Sequence, residues 1–134
     1  MPSTIRGIFR ITTLLAILLP VTGIAGTQQS IKFTQTQICR AAIAVAFGQS
    51  PGIIKVDRVN AGVIYMHYIR PWDETYWDYK CKIKGNRAIW ASPNGRWRDE
   101  VLEFTATKDK LIVEEKYFDG SKTTESFTKQ QLGK

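Results

Sequence analysis

Six basic side chains, Lys80, Lys82, Lys84, Arg87, Arg96 and Arg98, fall between residues 80 and 98 with no acid among them. Lys80, Lys82 and Lys84 alternate along one segment, so as a strand they share one face. Arg87 follows across a tight turn, and Trp90 and Trp97 lie close in sequence. A basic strip with aromatic rings can track a polyanion or an acidic protein surface, the charges giving attraction and the rings stacking area. The same lysines on the open face of a sheet would also keep a domain soluble and discourage edge pairing. Lys80, Lys82, Lys84, Arg87, Arg96, Trp97 and Arg98 are therefore the candidate binding residues, and an acidic protein or an anionic envelope polymer is the expected partner.

A second group could do acid–base work. Asp73, Glu74 and Asp78 cluster beside Trp72, Tyr76 and Trp77. Carboxylates among aromatic rings occur in glycosidase clefts, where rings stack on sugar faces. The spacing here matches no catalytic motif, and a solvated hairpin with aromatic packing accounts for it as well. Nucleophilic catalysis lacks parts: His67 is the single histidine and no G-x-S-x-G occurs. A structural histidine is the simpler reading. There is no G-x-x-x-x-G-K-[ST] or G-x-G-x-x-G, so no nucleotide cofactor is expected. One histidine and two cysteines make a zinc site implausible without carboxylates. No catalytic residue, metal ligand or cofactor is assigned.

The elements that must position these residues follow from apolar periodicity and turn chemistry. Thr36 can cap a helix over residues 37–47, with Gly48 as the stop and Pro51 shortly after. Arg40 is its one charge, so the helix must be covered nearly all round. Ala41, Ala42, Ala44 and Ala46 would let it sit close to a sheet. A subunit contact is the alternative use of so apolar a helix. Strands are expected at 53–59, 63–69, 76–84, 87–91, 97–107, 111–118 and 121–128. They are separated by Asn60-Ala61-Gly62, Arg70-Pro71, Gly85-Asn86, Pro93-Asn94-Gly95, Lys108-Asp109-Lys110 and Asp119-Gly120. Connections this short cannot join parallel neighbours. The fold class is thus α+β: one N-terminal helix packed on a curved antiparallel meander of about seven strands, or a partly closed barrel.

Trp77, Tyr79, Cys81 and Ile83 alternate away from the lysines and face inward, where the helix carrying Cys39 should lie. A Cys39–Cys81 disulfide is the expected use of the two cysteines. Two buried thiols or a redox pair are the alternatives, though the C-x-x-C spacing of redox work is missing.

The first 25 residues read as a cleaved signal peptide. Arg6 and Arg10 precede an apolar run over 11–25, and Gly23-Ile24-Ala25 gives small-x-small before a cut after Ala25, or one residue later. The run is short for a bilayer core and Pro20 interrupts it, leaving a retained anchor as the alternative. Residues 26–134 would then form one domain, with no membrane span after processing. The chain carries a formal charge of +7. Two of those charges sit in the signal, and the strip from Lys80 to Arg98 alone carries +6. The remainder is close to neutral.

Tyr79-Lys80-Cys81 resembles, over those three residues, a Tyr-x-Cys step in a family of bacterial lysozyme inhibitors. That family's Ser-Gly-rich loop has no counterpart, and no residue role is carried over. The expectation is an exported bacterial protein, periplasmic or secreted, acting as a non-enzymatic binding module. The alternatives are a small envelope hydrolase using carboxylates near Trp72–Asp78, and an envelope assembly component joined through the helix.

Overall fold

The computed structural model describes residues 33–98 and 100–134. The signal-peptide reading of residues 1–25, and the lead-in up to residue 32, lie outside the described residues.

Helix α1 spans Gln35–Phe47 and starts two residues earlier than expected. Its cap is Thr34, not Thr36. The Thr34 hydroxyl accepts from the Gln37 N–H at 3.1 Å, while the Gln37 side chain accepts from the Thr34 N–H at 2.9 Å. This reciprocal box satisfies two orphan amide donors, which the Thr36 placement could not do with the disulfide-bonded Cys39 at the third position. At the other end Gly48 adopts φ 62°, and its N–H reaches the Ala44 and Val45 carbonyls. A β-carbon would strain that left-handed turn.

A short 3₁₀ turn, Pro51–Ile53, leads into seven strands: β1 Lys55–Asn60, β2 Val63–Ile69, β3 Tyr76–Lys84, β4 Arg87–Ala91, β5 Val101–Ala106, β6 Lys110–Lys116 and β7 Lys122–Thr128. They form one antiparallel sheet in sequence order. The sheet does not close into a barrel; β1 and β7 are its edges. The interior of a barrel of about this strand number holds side chains only, whereas here α1 lies against β2 through β7. A one-turn helix, α2 Lys129–Leu132, and the 3₁₀ turn cover the rest of α1. Every residue from Gln37 to Val45 is buried in consequence. The alanines allow this close approach, as expected.

Ile64, Met66, Tyr68, Tyr79, Cys81, Ala88, Leu102, Leu111 and Val113 form the helix-facing side of the core. Cys39 and Cys81 are joined by a disulfide, with Cα atoms 5.8 Å apart and no solvent exposure. It fastens the first turns of α1 to the centre of β3. No helix among the described residues is long and apolar enough to cross a membrane.

Glu115 is the acid buried in this side of the sheet, opposite Leu102 and Thr123. Burial pushes its carboxyl above the usual range. The Tyr117 hydroxyl, donating at 3.1 Å, offsets this in part, and Glu100 adds to the upward push. A carboxyl whose folded-state pKa is raised costs stability while ionised and recovers it as pH falls through that value. Glu115→Gln keeps an acceptor for Tyr117 and removes the charge. The variant should melt a few degrees higher than the parent at pH 7, the gain vanishing toward pH 4 in scanning calorimetry. A lower melting temperature at pH 7 would show that the ionised form is the stabilising one.

Candidate binding cleft

An up-and-down meander sends alternate connections to opposite ends of the sheet. The β2–β3, β4–β5 and β6–β7 connections therefore emerge together, at the end reached by the C-terminus of α1. There Phe47 stacks on Tyr79 with centroids 4.2 Å apart and meets Trp90 edge-on at 4.8 Å. Trp90 pairs with Cys81 and faces the helix. It belongs to this inner aromatic cluster and not to the lysine face near which the sequence places it.

Strand β3 puts Lys80, Lys82 and Lys84 on the outer face, as the alternation requires. Their cross-strand neighbours are Tyr65 and Ala91 for Lys80, Ile89 for Lys82, and Arg87 for Lys84. Among the described residues none of these lysines has a carboxylate within salt-bridge distance. Charges on the outer face of β5 to β7 are matched instead: Lys116 Nζ lies 3.2 Å from Glu103 and 4.0 Å from Glu114, and Lys122 lies 3.9 Å from Glu114. Lys84 is exposed, while Lys80, Lys82 and Arg87 are half-buried. The Nε of Arg87 is buried, with no hydrogen-bond partner among the described residues.

The β4–β5 connection is where the expected strand over 97–107 is corrected. β5 starts only at Val101, and it pairs with β4 through just Arg87–Glu103 and Ala88–Leu102. Beyond Ala88 the two strands diverge. The turn at Ser92–Gly95 closes with a 2.9 Å bond from the Gly95 N–H to the Ser92 carbonyl. The Arg98 N–H then bonds back to the Trp90 carbonyl at 2.9 Å. This path sends consecutive side chains to different faces. Trp97 lies on the outer face, its ring centroid 4.7 Å from Lys80 Nζ and 4.3 Å from Lys82 Nζ. Arg98 lies over the inward Trp90 ring at 5.5 Å. The seven sequence-predicted residues thus do not make one flat strip. Lys80, Lys82, Lys84 and Arg87 line the outer face, Trp97 bridges onto it, and Arg96 to Arg98 turn around the gap between β4 and β5.

Between the β4–β5 connection and the end of β6 lies a cleft of about 790 Å³. Arg96, Trp97 and Arg98 line one part of it. Lys116, Tyr117 and Phe118, from the end of β6 and the following turn, line another, with Glu100 also present. Sequence reasoning missed the second group, having placed Tyr117 and Phe118 inside a strand. Phe118 is 106% exposed. An aromatic residue directly before Asp119-Gly120 was the available signal, because a turn leaves such a ring without a core to enter.

The carboxylate cluster lies elsewhere at the same end of the domain. Asp73 is gripped by Arg70 through both carboxylate oxygens and also accepts from the Thr75 N–H at 3.2 Å and hydroxyl at 2.8 Å. These contacts, Arg70 foremost, hold its carboxyl well below the usual range, so it is not a proton donor at neutral pH. His67 faces outward on β2. Its Nδ1–H donates to Asp57 at 2.7 Å, and its ring stacks on Tyr76 at 5.0 Å. Both arrangements satisfy the groups locally. Among the described residues no group of three or more His, Cys, Asp or Glu side chains is placed to hold a metal ion.

Comparison with protein-family models, curated proteins and solved structures gives no match for this chain.

Proposed function

We propose that the mature chain is an exported, non-enzymatic binding module that takes an anionic partner along the outer face of β3 and into the β4–β5 cleft. The observation that carries this reading is the set of Lys80, Lys82 and Lys84 on one strand face, without carboxylate partners among the described residues, two of them against Trp97 at the cleft. Lys116 and Lys122, farther across that face, are paired with Glu103 and Glu114, so an incoming anion meets stronger attraction at the three lysines. Arg96 and Arg98 extend the positive lining into the cleft, which Glu100 also borders, while Trp97, Tyr117 and Phe118 supply apolar area. The ligand class is an acidic protein surface or an anionic envelope polymer, and the Cys39–Cys81 bond suits an oxidising compartment such as periplasm or the cell exterior.

The test uses the triple charge reversal Lys80→Glu, Lys82→Glu and Lys84→Glu, with folding checked by circular dichroism. Affinity for an immobilised sulfated polymer should fall about tenfold or more, at roughly 0.2–1 kcal/mol for each partly exposed charge contact. The parent's retention should weaken steeply with added salt. Equal retention of parent and folded variant, or retention indifferent to salt, would exclude this face as the site.

A further inference from the structure

Two surfaces of opposite charge share one end of the domain, because the β2–β3 and β4–β5 connections both leave the meander there. The cleft is basic, with Arg96 and Arg98 outnumbering Glu100 along its lining and the three lysines of β3 beside it. The β2–β3 tip is acidic. Between Ile69 and Asp78 there is one cation, Arg70, against Asp73, Glu74 and Asp78, and Arg70 is spent on Asp73. Glu74 and Asp78 are exposed, and neither has a cation within salt-bridge distance among the described residues. Exposed large apolar side chains gather at the same end. Ile69, Trp72, Tyr76 and Trp77 lie on the tip, Tyr117 and Phe118 lie beside the cleft, and among the described residues Val59 alone is elsewhere. Arg70 sits 4.1 Å from the Trp72 ring centroid, yet Trp72 stays 76% exposed. Apolar area concentrated at one end and rimmed by charge marks a protein contact.

We infer that the acidic partner of the cleft is a second copy of this chain, joined end to end about a two-fold axis with the tip of each copy seated in the cleft of the other. The inference rests on the reading that the cleft and the outer face of β3 take an acidic protein surface. Charge complementarity between the two patches carries it. A two-fold axis repeats every contact, so a patch and its complement on one end of a molecule are both satisfied by a single partner copy. Each contact brings Glu74 and Asp78 of one copy toward Arg96, Arg98 and the β3 lysines of the other, and sets Trp72 against Trp97 and Phe118. Tip against tip and cleft against cleft would oppose like charges, so charge also fixes the register. An unrelated acidic protein in the cleft would leave the carboxylates and rings of the tip uncovered; a second copy covers both patches.

Sedimentation equilibrium of the mature protein at low salt tests this. The parent should dimerise with Kd of about 0.1 mM or tighter, and the dimer should dissociate as salt rises. Reversing the tip, Glu74→Lys with Asp78→Lys, should raise Kd about tenfold or more, because both contacts then oppose basic groups. The Lys80→Glu, Lys82→Glu and Lys84→Glu reversal should do the same with acids against acids. An equimolar mixture of the two variants should dimerise about as tightly as the parent, since both contacts of the mixed dimer again join opposite charges. Phe118→Ala removes a ring that packs on nothing in its own copy, so it leaves folding intact and should weaken the dimer. The inference is overturned if the parent stays monomeric at about 1 mM, if the folded charge variants each dimerise as the parent does, or if mixing them restores nothing. Should a charge variant fail to fold, an unchanged Kd for Phe118→Ala overturns it alone. A monomeric parent that still holds the sulfated polymer through its three lysines would sink the dimer and keep the binding face. Recovery on mixing, with polymer retention indifferent to the lysines, would keep the dimer and remove the polymer as ligand.

Discussion

Replacing Cys39 and Cys81 together by alanine is expected to lower the free energy of unfolding by about 4 kcal/mol. The two residues are 42 apart in sequence, and closing a loop of that length removes much of the freedom of the unfolded chain. Both sulfurs are wholly buried between α1 and β3, so the variant also loses packing. Alanine is preferred to serine because a hydroxyl at either position would be buried without a partner. Domains of this size hold only about 5–15 kcal/mol in total, so the variant keeps a fraction of the parent's margin. Urea unfolding should show a midpoint lower by roughly 2–4 M, and the parent in excess reductant should follow the same curve. Coincident curves for oxidised and reduced parent would mean that the bond contributes nothing to the fold.

Arg40 gives the second large effect. It is the one charged residue inside α1 and is 9% exposed. Its Nε donates to the Ile54 carbonyl at 3.1 Å, and its Nη1 donates to the carbonyls of Leu132 and, at 3.1 Å, Lys134. Burial lowers its pKa, yet a guanidinium stays charged throughout the range in which the fold exists. One side chain thus joins the helix to the end of the 3₁₀ turn and to the C-terminal turn, helped by Gln37 Nε2 donating to the Gly133 carbonyl at 2.7 Å. Arg40→Met keeps most of the apolar stem and leaves these carbonyls without their donors. A buried acceptor left unmet costs about 1–3 kcal/mol, so the variant should lose about 2–4 kcal/mol. Hydrogen exchange should show residues 129–134 released first, with the strands less affected. Arg40→Lys, which offers one compact ammonium in place of a planar fork, should recover only part of the loss. A methionine variant as stable as the parent, with unchanged protection in the C-terminal turn, would contradict the clamp.

The acid response has a local component with the opposite sign to that of Glu115. Asp73 is held ionised by Arg70 and Thr75. Its contribution is present above the usual carboxylate pKa and is lost only as pH falls toward its lower folded-state value. Mild acid therefore relieves Glu115 before it disturbs the hairpin tip.

Much of the fold was legible in the residues. Gly85-Asn86 and Asp119-Gly120 marked turns, and the alternation of β3 put Cys81 and Lys80 on opposite faces without reference to anything distant. Both signals are local, set by backbone sterics and side-chain period. The same alternation, with a helix too apolar to be left exposed, was enough to pair Cys39 with Cys81. Errors came where a local signal had two solutions. Thr34 and Thr36 are both capable caps, and the choice fell to Gln37, whose side chain can reach back only to Thr34. α2 went unread because four residues carry too little periodicity; it forms where Thr128 caps it and Leu132 finds the core.

Residue order alone thus determined an antiparallel meander, its inward and outward faces, a disulfide and a concentration of charge between Lys80 and Arg98. The tertiary structure decided what that charge can reach. Trp90 and Trp97 are seven residues apart, yet one packs under the helix and the other over the lysines, because β4 and β5 part company after Ala88. Lys116 to Phe118 come to the same cleft from a separate turn, since alternate connections of a meander gather at one end. Neither outcome is written in a run of residues. Each depends on where two strands stop pairing, and that is set by how the whole sheet bends around α1.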